Sequence, residues 1–257
     1  MRTACALATF FLAGVLRAQV GQPPPNPSWP CVPGRPVDPA YLDVSESTGG
    51  QLFLFQPGEA AQAALVMNAS HTHPATVLRM VGQLNGARDI QFPLESGVES
   101  VLFLVSLQCP NSIRVYRPGG AEVTAVNAAR SLDLRAGRIL RIDQPESGAW
   151  RLQLTGSGLF VASVLAKADI ALSGVSAAGG NVEARLGGGV RDVQFQLVDA
   201  AGDPASGAVS VEPGESGVYR APLAPRSERF RLLVRGIDGA ALPFERTYPV
   251  LFRATPR

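Results

Sequence analysis

From His71 onward the chain is written in short runs that alternate apolar and polar residues, each closed by Gly, Pro, Asn or Asp. A period of two places successive side chains on opposite faces of an extended strand, and turn residues at this spacing mark antiparallel sandwiches. The clearest runs are Thr76 to Val81, Ala87 to Phe92, Val101 to Leu107, Ile113 to Arg117, Arg138 to Ile142, Trp150 to Leu154 and Leu159 to Leu165. After Lys167 a second set follows: Ile170 to Leu172, Val193 to Val198, Val209 to Val211, Val218 to Pro222, Phe230 to Val234 and Tyr248 to Phe252. The expected fold is therefore mainly β, two consecutive antiparallel β-sandwich modules at 71–166 and 167–257, with one short helix near the N-terminus. The Gly-rich stretch Gly179 to Gly189 reads as a loop inside the second module.

Ahead of the sandwiches the texture differs. Residues 19–40 carry proline at a density that forbids helix and central strand alike, so they read as an extended arm. Trp29 and Cys31 are its expected anchors. In 41–70, the stretch from Tyr41 to Phe55, with its alternating run Gln51 to Phe55, reads as a buried strand, and Pro57-Gly58-Glu59 starts an Ala-rich helix to Ala69. A Glu-Ser-Gly echo at Glu95, Glu146 and Glu215 reads as three turns that each feed a strand.

The first eighteen residues have the order of a secretory signal: Arg2, an apolar run from Cys5 to Val15, then Ala18 at a cleavage position. That run is shorter than the roughly 20 apolar residues a spanning helix needs, so cleavage is expected, with no stable membrane insertion afterwards. The expected destination is extracellular, or periplasmic or cell-surface in a bacterium. Export removes Cys5 and leaves Cys31 and Cys109 as expected disulfide partners. Closing that loop would contribute about 4 kcal/mol. The net charge of +2, with basic residues scattered along the strands, gives no footprint for nucleic acid.

Candidate chemistry is sparse. Asp43-Val-Ser45-Glu-Ser47 matches the Asp-x-Ser-x-Ser cation motif of von Willebrand A domains, but the strand-then-helix context of such a site is missing. His71 and His73 are the only histidines, one or two ligands short of a zinc site. Asp199 to Asp203 reads as a hairpin turn, and Asn68-Ala-Ser70 as a glycosylation sequon. There is no Gly-x-Ser-x-Gly elbow and no phosphate loop, and no cofactor or metal is expected. A carboxylate pair meeting in space is beyond what sequence can mark.

Three stretches together resemble the hemicentins and their relatives among the von Willebrand factor A domain-containing proteins, in the region at and after the end of the A domain. The first is Tyr41 to Phe55, with Thr48-Gly-Gly-Gln51 before Leu-Phe-Leu-Phe, similar to the last elements of an A domain. The second is Pro145-Glu-Ser-Gly148-Ala-Trp150-Arg-Leu152 with Gly156-Ser-Gly158, similar to a galactose-binding-like module. The third is Phe230-Arg-Leu232-Leu-Val234-Arg-Gly236-Ile-Asp238 with Phe244-Glu-Arg246, similar to an immunoglobulin-like module. The resemblance implies adhesion or assembly through loops or a sheet edge, with a protein or glycan at a cell surface or matrix as partner. Most of the A domain is missing, so its cation site does not carry over. Trp150, Phe230, Leu232 and Val234 are expected core residues; Tyr116 and Trp29 are the candidate ligand contacts. A carbohydrate-binding module is the alternative, and a hydrolase with an unmarked carboxylate pair a further one.

Overall fold

The computed structural model describes residues 37–55, 58–214 and 217–254, and is mainly β as the alternation predicts. Two helices of ten residues precede the strands, α1 (Pro39–Thr48) and α2 (Ala63–Thr72), the second entered through a single 3-10 turn at Ala60–Gln62. Two of the sequence expectations are corrected here. Tyr41 to Thr48 is helix, and Gln51 to Phe55 joins no ladder: Leu52, Phe53 and Phe55 are buried side chains of a connecting segment. The helix has local grounds, since the Asp38 carboxylate accepts from the Ala40 N–H, Pro39 occupies the first turn, and Gly49 ends it in the left-handed conformation.

The first unit is one antiparallel sheet of five strands in the order β1–β5–β2–β4–β3. Its strands are β1 (Ala75–Leu94), β2 (Ser100–Tyr116), β3 (Arg130–Leu134), β4 (Gly137–Asp143) and β5 (Gly148–Lys167). Three pairs of runs that the sequence separates are thus three continuous strands, β1, β2 and β5. The sheet makes its sandwich by folding over on itself. Phe103 of β2 lies opposite Val164, fourteen residues along β5 from Trp150. A flat strand of that length would span roughly 45 Å. Yet the Phe103 and Trp150 rings are 5.9 Å apart, and Phe103 and Phe92 are 6.0 Å apart. The inner core gathers Val77, Phe92, Phe103, Val115, Trp150, Leu152 and Phe160 from both limbs.

The fold line crosses the three long strands where Gly86 lies opposite Gly156 and Pro110 also faces Gly156. Register slips on both sides of this point in β2, between Leu107 and Cys109 and between Pro110 and Ser112. Such bulges bend a strand without ending it. At Gly156 a Cβ would sit 2.2 Å from the Cys109 carbonyl oxygen, so no other residue fits without moving backbone. The outer face of one limb is covered by α2 with Phe53 and Phe55, and by Leu52 with Tyr41 and Leu42. This explains why Leu159 to Ala166 of β5 is buried at every position.

The second unit is a sandwich of two sheets, β10–β7–β6 against β12–β11–β8–β9, with β13 also paired to β11. The strands are β6 (Leu172–Ala178), β7 (Asn181–Leu186), β8 (Arg191–Val198), β9 (Val209–Ser210), β10 (Val218–Pro222), β11 (Arg229–Ile237), β12 (Pro243–Thr247) and β13 (Phe252–Arg253). Between the sheets lie Val182, Val193, Phe195, Leu197, Ala221, Phe230, Leu232, Val234 and Phe244. Gly179 to Gly189, expected as a loop, contains β7: its glycines make the turns at either end, while Asn181 to Leu186 pairs on both edges.

The two units share a polar seam. Glu46 of α1 is 3% exposed and pairs with Arg79 of β1 at 3.0 Å and with Arg231 of β11, both fully buried. Arg246 of β12 pairs with Glu95, the first residue of one Glu-Ser-Gly turn, and donates from Nε to the Ile170 carbonyl at 2.8 Å. Burial pulls Arg79 down to about 10 and Arg231 to about 9, so both stay charged at neutral pH. Backbone joins the seam as well: the Val81 N–H donates to Ala200 and the Leu251 N–H to Glu46, each at 2.7 Å.

The fold line gives a mutational contrast. Gly156→Ala should destabilise the protein by about 3 kcal/mol, because a backbone oxygen occupies the new methyl's place. Gly86→Ala faces open space at a positive φ of 111° and should cost only about 1 kcal/mol. Urea unfolding of the two variants measures the difference, and equal losses would contradict the tight fold line.

Candidate binding face

On the first unit, inward residues Ile90, Phe92, Leu152, Leu154 and Val115 leave their neighbours pointing to solvent. Two cross-strand rows result: Asp89, Gln153 and Arg114, then Gln91, Arg151 and Tyr116, each running across β1, β5 and β2. The rows are knitted together. The Arg151 guanidinium lies 4.0 Å from the centre of the Tyr116 ring, a cation–π contact of about 0.5–1 kcal/mol at an exposed site. The Tyr116 hydroxyl donates to Gln153 Oε1 at 3.4 Å, and Gln153 Nε2 donates to Asp89 Oδ1 at 3.1 Å. Asp89 also lies 3.8 Å from Arg151. The neighbouring Tyr116 and Glu122 raise the pKa of Arg114 above its ordinary value.

An ordered loop rims this face. Tyr116 bridges to Glu122, the Thr124 N–H donates to Asn127 Oδ1 at 2.8 Å, and Arg117 donates to the Asn127 carbonyl at 3.0 Å. The loop holds Val126 out at 96% exposure. Arg117 also lies over the Trp150 ring at 5.8 Å, and the Trp150 indole donates to the Glu146 carbonyl at 2.8 Å. Trp150 is fully buried, as are Leu232 and Val234, and Phe230 is 5% exposed. Trp29 lies outside the described residues.

The other sequence candidates are dispersed. Asp43 pairs with Arg229 on the surface at 2.8 Å, the Ser47 hydroxyl donates to the Val44 carbonyl, and Ser45 and Glu46 turn inward to Arg79. The Asp-x-Ser-x-Ser oxygens therefore point around a helix instead of converging. Asp199 closes its own turn, accepting from the Ala201 and Asp203 N–H groups at 2.9 Å each. Asn68 is exposed on α2. Cys109 is buried and disulfide-bonded; Cys31, its expected partner, lies outside the described residues. Among the described residues, no three His, Cys, Asp or Glu side chains are grouped to hold a metal ion, and no helix is long and apolar enough to cross a membrane. An open hollow at the fold line is lined by Asn85, Gly86, Cys109, Pro110, Asn111, Gly156 and Ser157, none of them acidic.

His71 is exposed while His73 is buried. Thr72 Oγ1 is 2.8 Å from His73 Nδ1 and Ser100 Oγ is 3.0 Å from Nε2, a hydroxyl–imidazole–hydroxyl chain absent from the sequence motifs. Both Ser100 and His73 are at most 5% exposed, so this chain has no opening through which a substrate could reach the serine. Burial, then the Arg141 charge, lower the His73 pKa below its ordinary 6.5, against the opposing pull of Asp143.

No family model and no curated protein matches the chain. Among solved structures it is similar to the Bacillus licheniformis lipase BlEst2 in its propeptide form, at 14% identity and TM-score 0.35 over 68% of this chain and 43% of that one. It is similar also to β-glucuronidase 3 of Bacteroides uniformis, at 9% identity and TM-score 0.25 over 66% of this chain and 27% of that one. A β-1,2-glucanase from Parabacteroides distasonis gives 11% identity and TM-score 0.25 over 66% and 31%. The chain spans less than half the length of each, and at these scores none bears on its function.

An imidazole with a lowered folded pKa contributes stability that is complete above 6.5 and is lost as pH falls below it. Thermal unfolding should therefore show a decline in Tm from pH 7 to pH 5 that is smaller in His73→Gln, whose amide can still meet both hydroxyls. Equal declines would show that His73 does not set this dependence.

Proposed function

We propose that this chain is an exported, non-catalytic binding or structural protein that works in adhesion or assembly at a cell surface or in an extracellular matrix. The observation that carries the proposal is the face built from Tyr116, Arg151, Gln153 and Asp89, fixed by its own hydrogen bonds before any ligand arrives. Tyrosine and arginine dominate the energetics of recognition surfaces, and side chains already locked in place lose little entropy on binding. The second unit's strand order, with connections that cross between its sheets, supports an immunoglobulin-like module; for the folded-over first sheet we propose the galactose-binding-like part. A hemicentin-like protein is the corresponding family proposal.

A carbohydrate-binding role is the second reading, favoured by an aromatic ring on an exposed sheet face. Against it, Arg151 already covers that ring, so a sugar would have to displace a cation to stack there. The test applies the mature chain to matrix proteins and to a glycan array, beside Tyr116→Ala and Arg151→Ala. Retention on a matrix protein, weakened about tenfold or more in both variants, is the expected result. Glycan binding lost in Tyr116→Ala would replace adhesion with sugar recognition, and turnover of any arrayed glycan would overturn the non-catalytic assignment.

A further inference from the structure

On the covered limb of the first sheet, α2 buries Ala63 and Val66 over Leu102, Leu104, Ile139 and Leu165. Its far end is held differently. The helix stops at Thr72 because His73 precedes Pro74, which disfavours the helical conformation there, and at Ala75 the chain is already β1. His73 fills this joint. It is buried, and its ring links the helix to the sheet through Thr72 on Nδ1 and Ser100 of β2 on Nε2.

The link has a direction. The Thr72 hydroxyl donates its one proton to the Asn68 carbonyl at 3.0 Å, so toward the ring it accepts, and Nδ1 carries the imidazole hydrogen. Nε2 is then the acceptor, and the Ser100 hydroxyl donates to it. A second proton can enter only at Nε2, where it reverses the Ser100 bond and places a charge in a site withdrawn from water. Ser100 lies opposite Asp143 of β4 and Lys167 of β5. Each carboxylate in this neighbourhood already has its own cation: Asp143 pairs with Arg141 at 2.8 Å, and Glu99 pairs with Lys167. Burial, then Arg141, hold the imidazole pKa below 6.5, and Lys167 adds to them against Asp143. His71, on the same helix, is exposed.

We propose that acid releases α2: a proton taken up from solvent at His73 Nε2 drives the ring out to water, the end of the helix leaves the sheet with it, and the apolar strip beneath is uncovered while the sheet stays folded. β2 keeps its ladders to β4 and β5, which do not involve the ring. The acid response is therefore confined to the helix, in advance of any loss of the whole fold.

Hydrogen exchange of the whole chain at pH 7 and pH 5, corrected for the intrinsic effect of pH on amide exchange, tests this. Protection over 63–72 should fall about tenfold on acidification while β2 and β5 keep theirs, and binding of an apolar dye should rise over the same range. His73→Gln, whose amide can meet both hydroxyls without taking a proton, should hold the helix equally at both pH values. His71→Gln should respond as wild type does. A wild-type helix equally protected at both pH values, or unprotected already at pH 7, overturns the proposal. So does a loss shared by helix and strands alike, a His73→Gln chain that responds as wild type does, or a response that disappears in His71→Gln.

Discussion

The arrangement of this molecule depends on one carboxylate held between two guanidinium groups. Glu46 is almost wholly withdrawn from water, and so are its partners Arg79 in the first unit and Arg231 in the second. Charges stripped of solvent are costly unless paired, so each unit offers a buried cation to the α1 carboxylate, with Arg79 also donating to Ser45 and Gln51 and Arg231 to the Pro249 carbonyl. The helix is thereby fixed against both units. Gly49 fits closely under Pro249 at its end, and the Glu46 carbonyl accepts from Leu251. Arg246 with Glu95, and Asp238 with the Ser96 N–H and hydroxyl, repeat the device further along the same seam. Asp238 shows the balance: burial pushes its carboxyl up, but hydrogen bonds from Ser96, Leu242 and Ala240 outweigh burial and hold it below the ordinary range.

A seam specified by charge separates two kinds of β architecture. The first unit needs long strands that bend sharply, and Gly156 opposite the bulged Pro110 region supplies the bend. The second needs short strands and frequent turns, supplied by glycine pairs such as Gly179-Gly180. Because the first sheet folds over, its outer surface divides into a limb covered by α2 and a limb left to solvent. The solvent limb carries the Tyr116 and Arg151 rows, and rigidity in the folded sheet is what holds them in place.

Much of this was legible in the residues. Alternation marks the long strands and most of the short ones, because one buried face imposes a period of two whatever the topology, but β3, β7 and β12 lie outside the runs, and Ile170 to Leu172 meets β6 only at its first residue. The Glu-Ser-Gly turns at Glu95 and Glu146 precede β2 and β5, as local turn chemistry requires. What stayed hidden depends on distant partners. Gly86 and Gly156 look like strand ends along the chain and become a fold line only when set opposite each other. α1 has a weakly amphipathic sequence, and its helix makes sense through Glu46 meeting arginines 33 and 185 residues away. Of the binding face, Tyr116 stands out in the sequence, but Asp89, Arg114, Arg151 and Gln153 gain meaning only from strand register.

The claim that a shared carboxylate makes the two units one body is tested most directly by calorimetric unfolding of Glu46→Gln, which removes the charge and keeps the shape. Wild type should melt in one transition. The variant should lose about 3–5 kcal/mol and melt in two, as each core unfolds alone around an uncompensated arginine. A variant that melts in one transition at the wild-type Tm would contradict the account.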